Sequence, residues 1–133
     1  MRFSFKRLKG FTMVEIMVVV AILALLASVA IPNLVRARVT ANEANAKATL
    51  KTISTALETF ALANGTYPPN TGSLLGQSPP YLSKDYFTGT QSGYNYAATL
   101  AGYTYSILAT PQNDSQGKTS FTMATGGVLT ANP

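Results

Sequence analysis

"LKGFTMVEIMVVVAILALLASVAI", Leu8 to Ile31, decides how this chain is built. From Phe11 to Ile31 the run is interrupted by three polar side chains, Thr12, Glu15 and Ser28. As a helix these residues extend about 30 Å, the hydrocarbon thickness of a bilayer, so the stretch reads as a transmembrane helix. Glu15 is the anomaly in it. A carboxylate inside a membrane helix costs roughly 2.5–3.5 kcal/mol on insertion scales. The next basic residue along the helix, Arg36, lies about 30 Å further on.

Ahead of the run stand Arg2, Lys6, Arg7 and Lys9 with no acid among them. The chain of 133 residues carries a formal charge of +5, and these four residues supply most of it. From Phe11 onward the basic residues are Arg36, Arg38, Lys47, Lys51, Lys84 and Lys118, against Glu15, Glu43, Glu58, Asp85 and Asp114. A basic tail before an apolar run is a membrane-targeting device, and no nucleic-acid partner is predicted. The dense leading cluster puts the N-terminus in the cytoplasm. The chain has no cysteine and no histidine, which removes disulfides, thiol chemistry and the commonest general base.

The helix pattern continues past Ile31. Pro32 lacks a backbone donor and is expected to kink the helix without ending it. Beyond it Val39, Ala46, Leu50, Ile53, Leu57 and Phe60 recur at three-, four- and seven-residue spacing, forming one apolar stripe. Glu43 and Lys47 stand at i,i+4 in the favourable order. Asn64-Gly65 reads as a stop, with Pro68 beyond. The spacing therefore predicts a helix from Phe11 to about Ala63, with an apolar half at 11–31 and an amphipathic half at 32–64.

The rest, 65–133, reads as a small head. Pro68, Pro69, Pro79 and Pro80 with several Gly and Ser predict a loop over 65–92, holding at most one short helical turn. "GYNYAATL" (Gly93–Leu100), "YTYSILAT" (Tyr103–Thr110) and "TSFTMAT" (Thr119–Thr125) carry strand composition, with turns at Ala101-Gly102 and in "PQNDSQGK". "GGVLTANP" adds a candidate edge strand. The fold class is α+β: a long N-terminal helix packed by its stripe against a three- to four-stranded antiparallel sheet. All seven tyrosines follow Gly65. They suit a half-buried sheet, or else a surface that packs against neighbouring copies.

"KGFTMVE" at the head of this helix resembles the processing site of type IV pilins and type II secretion pseudopilins. The resemblance implies that a prepilin peptidase cuts after Gly10, removing residues 1–10. It implies N-methylation of Phe11 and an assembly role for Glu15 at the fifth position of the mature chain. Pro32 matches the proline at the end of the family's apolar run, and "NGTYPP" (Asn64–Pro69) resembles the loop entrance of short pseudopilins and small pilins. The likeness is strong over Met1–Ala63 and looser over the sheet. It implies a pilin-like fold, a homopolymer, a peptidase and methyltransferase partner, an inner-membrane assembly platform, and a filament in the periplasm or on the cell surface. The chain departs from the many pilins that close a C-terminal loop with a disulfide. Major pseudopilins often bind calcium in that region, but a calcium ion wants about six or more oxygen ligands. Here Asp114, with Asn113 and Ser115 beside it, is the sole acid after Asp85. No metal and no cofactor are expected.

Cutting after Gly10 creates a cation, the amino group of Phe11. Its own Glu15 is one turn away, within reach of an intramolecular contact; a neighbouring helix shifted along its axis would instead bring its own amino group to Glu15. Such a head-to-tail contact repeats into an open helical filament. Two other readings remain. Ser28-Val29-Ala30 is a small-x-small pattern, and signal cleavage after Ala30 would release a soluble helix-plus-sheet binding module. An uncut chain would be a single-span anchor displaying the head. An enzyme is excluded by inventory: no G-x-x-x-x-G-K-[ST] loop and no neighbouring paired carboxylates accompany the missing His and Cys. Pilus and secretion pseudopilus are not separated by these residues.

Overall fold

The computed structural model describes residues 10–132. The basic leader residues Arg2, Lys6, Arg7 and Lys9 lie outside the described residues. Helix α1 runs Met13–Asn64 and contains Pro32. Four strands follow: β1 (Tyr94–Ala101), β2 (Thr104–Pro111), β3 (Ser120–Ala124) and β4 (Val128–Asn132). The chain divides into two compact units that meet between Leu34 and Val35.

In the first unit every described residue, Gly10 to Leu34, is exposed. This part of α1 gives the one helix among the described residues that is long and apolar enough to cross a membrane. Its start falls two residues later than the sequence reading placed it. Thr12 takes the capping position, which keeps Phe11 and Thr12 outside the helix.

In the second unit the rest of α1 covers one face of the sheet. Ala46, Leu50, Ile53, Leu57 and Phe60 are buried as the stripe predicts, and Ser54 and Ala56 are buried with them. Val39 is half-buried. The helix ends where Gly65 takes φ +79, a left-handed conformation that favours glycine, and its N–H donates to Ala61 O at 2.7 Å. The 65–92 segment holds one 3₁₀ turn, Thr71–Leu74, whose start Asn70 caps by accepting from Ser73 N.

The sheet is a four-stranded antiparallel meander in the order β1-β2-β3-β4. The expected strands are found with ends shifted by about a residue, and the candidate edge strand is β4. The β1–β2 turn is Gly102-Tyr103, since Ala101 pairs with Thr104, and Gly102 at φ +56 supplies the positive φ that a two-residue hairpin needs. One row on the inner face runs Tyr96–Ala109–Phe121, with alanine between two aromatic side chains. The next runs Ala98–Ile107–Met123. Each row thus sets a small alanine beside larger side chains, a mixture that helps fill a close-packed core. Tyr67, Tyr94, Tyr96 and Tyr105 are buried, and Tyr103, at 78%, is strongly exposed. The tyrosines are core-builders more than a contact surface.

Candidate functional site

The first candidate site lies where α1 begins. Gly10 and Phe11 precede the helix, both exposed, and nothing lies within 4 Å of where a Gly10 Cβ would stand. Thr12 Oγ1 accepts from Glu15 N at 3.2 Å. In return Glu15 Oε2 accepts from Thr12 N at 2.7 Å and from Thr12 Oγ1 at 2.8 Å. This is a capping box, in which a threonine and the glutamate three residues later each satisfy the other's free backbone donor. It puts the Glu15 carboxylate beside the positive end of the helix dipole. The T-x-x-E spacing of Thr12–Glu15 is the sequence signature of this box. Both carboxylate bonds end on Oε2.

The cap and the helix dipole both favour the charged form of Glu15. Local bonds therefore offset part of the cost of an acid in an apolar run, and Oε1, which takes neither bond from Thr12, is left for an external cation.

Pro32 sits inside α1, where it has no N–H to offer the carbonyl four residues back, that of Ser28. Ser28 Oγ itself donates to Leu25 O at 2.6 Å. Ala30 and Ile31 are interior helical residues, so the alternative cleavage point lies within a continuous helix.

Asp114 is exposed at a tight turn in which Gln116 N and Gly117 N both donate to Asn113 O, at 3.0 and 3.1 Å. Ser115 Oγ donates to Asn113 Oδ1 at 2.7 Å. Among the described residues no group of three or more His, Cys, Asp or Glu comes together. The turn is tied to the helix: Asn42 Nδ2 donates to Gln116 O at 2.8 Å and to Gln116 Oε1 at 3.0 Å, and Lys118 N donates to Glu43 Oε1 at 3.3 Å.

A polar cluster in the head escaped the sequence reading. Glu58, half-buried on α1, accepts from Tyr67 Oη at 3.0 Å, from Tyr105 Oη at 3.1 Å and from Gly126 N at 3.1 Å. Ser54 Oγ and Tyr105 Oη share a further bond of 2.7 Å. One carboxylate thus joins the helix to the 65–92 loop, to β2 and to the β3–β4 turn. Burial, reinforced by the hydrogen bond to Glu58, pushes the Tyr67 hydroxyl up to about 12. Burial likewise raises Tyr105.

A family model described as a prokaryotic N-terminal methylation motif matches residues 5–31. The chain is 33% identical over 107 residues to the type IV wide pilus major component of Thermus thermophilus, covering 77% of this chain and 82% of that protein. It is 43% identical over 54 residues to the type IV major pilin of Myxococcus xanthus, 41% of this chain and 24% of that one. It is 38% identical over 63 residues to the type II secretion system core protein G of Aeromonas hydrophila, 47% of this chain and 44% of that one.

Proposed function

The chain belongs to the family of type IV pilins and type II secretion pseudopilins, and we propose that it is a structural subunit that polymerises into a helical type IV filament after a prepilin peptidase cuts between Gly10 and Phe11. The precursor is held in the inner membrane by residues 11–31, with its N-terminus in the cytoplasm and its head on the far side. Cleavage removes the basic leader, and Phe11 is N-methylated. Thr12 and Glu15 both follow the cut, so the capping box survives it. The new amino group of one subunit then meets Glu15 of the next, at the carboxylate oxygen that the cap leaves over. Pro32 marks the end of the apolar half. The function is structural, without a catalytic step of its own.

The observation that carries this reading is the exposure of every residue from Met13 to Leu34 on an apolar helix. Burying an apolar side chain is worth about 1.5–3 kcal/mol, so the stretch requires lipid in the precursor and the same stretch of other copies in the filament. The longer match to a pilus component, over 77% of this chain, favours a pilus over a secretion pseudopilus, since the secretion relatives match over 44–59% of it. The soluble-module reading requires a cut after Ala30, in mid-helix, and is disfavoured by the continuous α1.

The test is the mass of the mature N-terminus together with microscopy of sheared cells. Methylated Phe11 in filaments labelled by this chain is the expected result. A mature chain beginning at Ile31, or an uncut Met1, overturns the proposal.

A further inference from the structure

The head carries a turn with one carboxylate, Asp114, at its exposed tip, and a basic groove. The turn is held rigid by the bonds onto Asn113 O and anchored to α1 at Asn42 and Glu43. The groove, about 500 Å³, lies between α1 and β4. Lys47 and Lys51 stand on it, Met123 and Leu129 give it an apolar wall, and no acidic residue lines it. Leu129, at 41% exposure, and the whole of β4 lack cover from the rest of the chain. Lys47 Nζ is steered over the Phe121 ring, 4.9 Å from its centroid, which fixes its direction.

We propose that in the assembled filament the Asp114 turn of one subunit docks into the Lys47–Lys51 groove of a neighbour below it, a second interface that rests on the filament reading above. Charge complementarity is the first argument: a preformed anionic tip meets a groove with two cations and no anion. Its rigidity is the second, because an ordered turn loses little entropy on docking. Register within the head is the third. The Asp114 turn is anchored at Asn42 and Glu43, and Lys47 and Lys51 stand four to nine residues further along the same part of α1, about 6–13 Å. A copy displaced by that amount along this part of the helix lays its turn on the lysines of the next.

The absence of cysteine from the chain makes the contact directly testable. Asp114→Cys is combined with Lys47→Cys or with Lys51→Cys in the full chain, and sheared filaments are oxidised and run without reductant. The expected result is a ladder of covalent multimers from at least one pair and none from the single variants. Normal filaments without a ladder from either pair overturn the contact. A charge swap gives an independent readout. Asp114→Lys is expected to lower filament yield by about tenfold through like-charge apposition. Adding Lys47→Asp and Lys51→Asp is expected to recover it, and failure to recover counts against the pairing. An unaltered chain that makes no filament overturns the assembly reading and this contact with it, whereas intact filaments without cross-links overturn the contact alone.

Discussion

Tyr105 and Glu58 stand 47 residues apart in the chain, and the Tyr105 hydroxyl donates to Glu58 Oε1 at 3.1 Å. The same oxygen accepts the Gly126 amide, and the other accepts Tyr67 Oη. The helix is thereby pinned to three segments by one side chain. Glu58→Ala removes the acceptor from all three donors; Tyr105 Oη keeps Ser54 Oγ as a partner, which leaves Tyr67 Oη as the buried donor without one. A buried donor left without a partner costs about 1–3 kcal/mol, with Gly126 discounted because its site is exposed. The expected loss is about 1–3 kcal/mol, read as a lower midpoint in denaturant for the full chain in detergent. A midpoint equal to that of the unaltered protein would remove the clamp from the explanation of the fold.

The tyrosines on this clamp give the head a defined response to alkali. The Tyr67 hydroxyl is pushed up to about 12, by burial first and then by Glu58, and burial also raises Tyr105. An unfolded tyrosine loses its proton near pH ~10. The folded state thus keeps these protons to higher pH than the unfolded chain does. Their stabilising contribution is fully present below pH ~10 and falls away as the pH rises toward about 12. Denaturation at a series of pH values between 9 and 12 is expected to show stability dropping with pH. Tyr67→Phe is expected to lower stability at neutral pH yet show a shallower fall in that window. An equally steep fall in the variant contradicts the assignment.

The amphipathic half of α1 and the sheet it covers were legible because burial writes itself into spacing. Ala46, Leu50, Ile53, Leu57 and Phe60 follow the helix period, and Tyr94, Tyr96, Tyr105, Ile107, Phe121 and Met123 alternate along their strands. The processing motif and the apolar run were legible as local strings. Glu58 was not, since its donors come from residues 67, 105 and 126, which no local pattern brings together. Ser54 escaped for the same reason: its partner Tyr105 is on β2. The capping box differs, being wholly local. Its T-x-x-E string, Thr12 to Glu15, lies at the head of an apolar run, where the carboxylate reads equally as a buried charge in need of a distant counterion.

The core supports a third expectation. Leu50 is fully buried where α1 meets the sheet. Leu50→Ala removes its side chain from a close-packed cluster, at a cost of about 2–5 kcal/mol for such truncations. The exposed Leu62, on the same helix and 88% accessible, provides the control, since surface changes usually stay within about 0.5 kcal/mol. Thermal unfolding of the two variants in parallel tests the predicted side of the helix. Similar losses at both positions contradict it.

Capping and charge at Glu15 can be separated by substitution. Glutamine serves at the third helical position of a capping box as glutamate does, so Glu15→Gln keeps a partner for Thr12 while removing the anion. Thr12→Val does the reverse, losing the side-chain cap, worth about 1 kcal/mol, and sparing the charge. If Glu15 acts by pairing with a neighbour's amino group, Glu15→Gln abolishes filaments while the amides of residues 15 and 16, which Thr12 accepts, keep their protection from hydrogen exchange. Thr12→Val then frays that first turn, raising exchange there by about fivefold, and still assembles. The opposite pattern, with Glu15→Gln filaments at normal yield and Thr12→Val filaments lost, assigns Glu15 to helix capping alone. Cleaved protein must be used in both cases, with the mature N-terminus verified by mass, because an uncut chain lacks the amino group on which the charge argument depends.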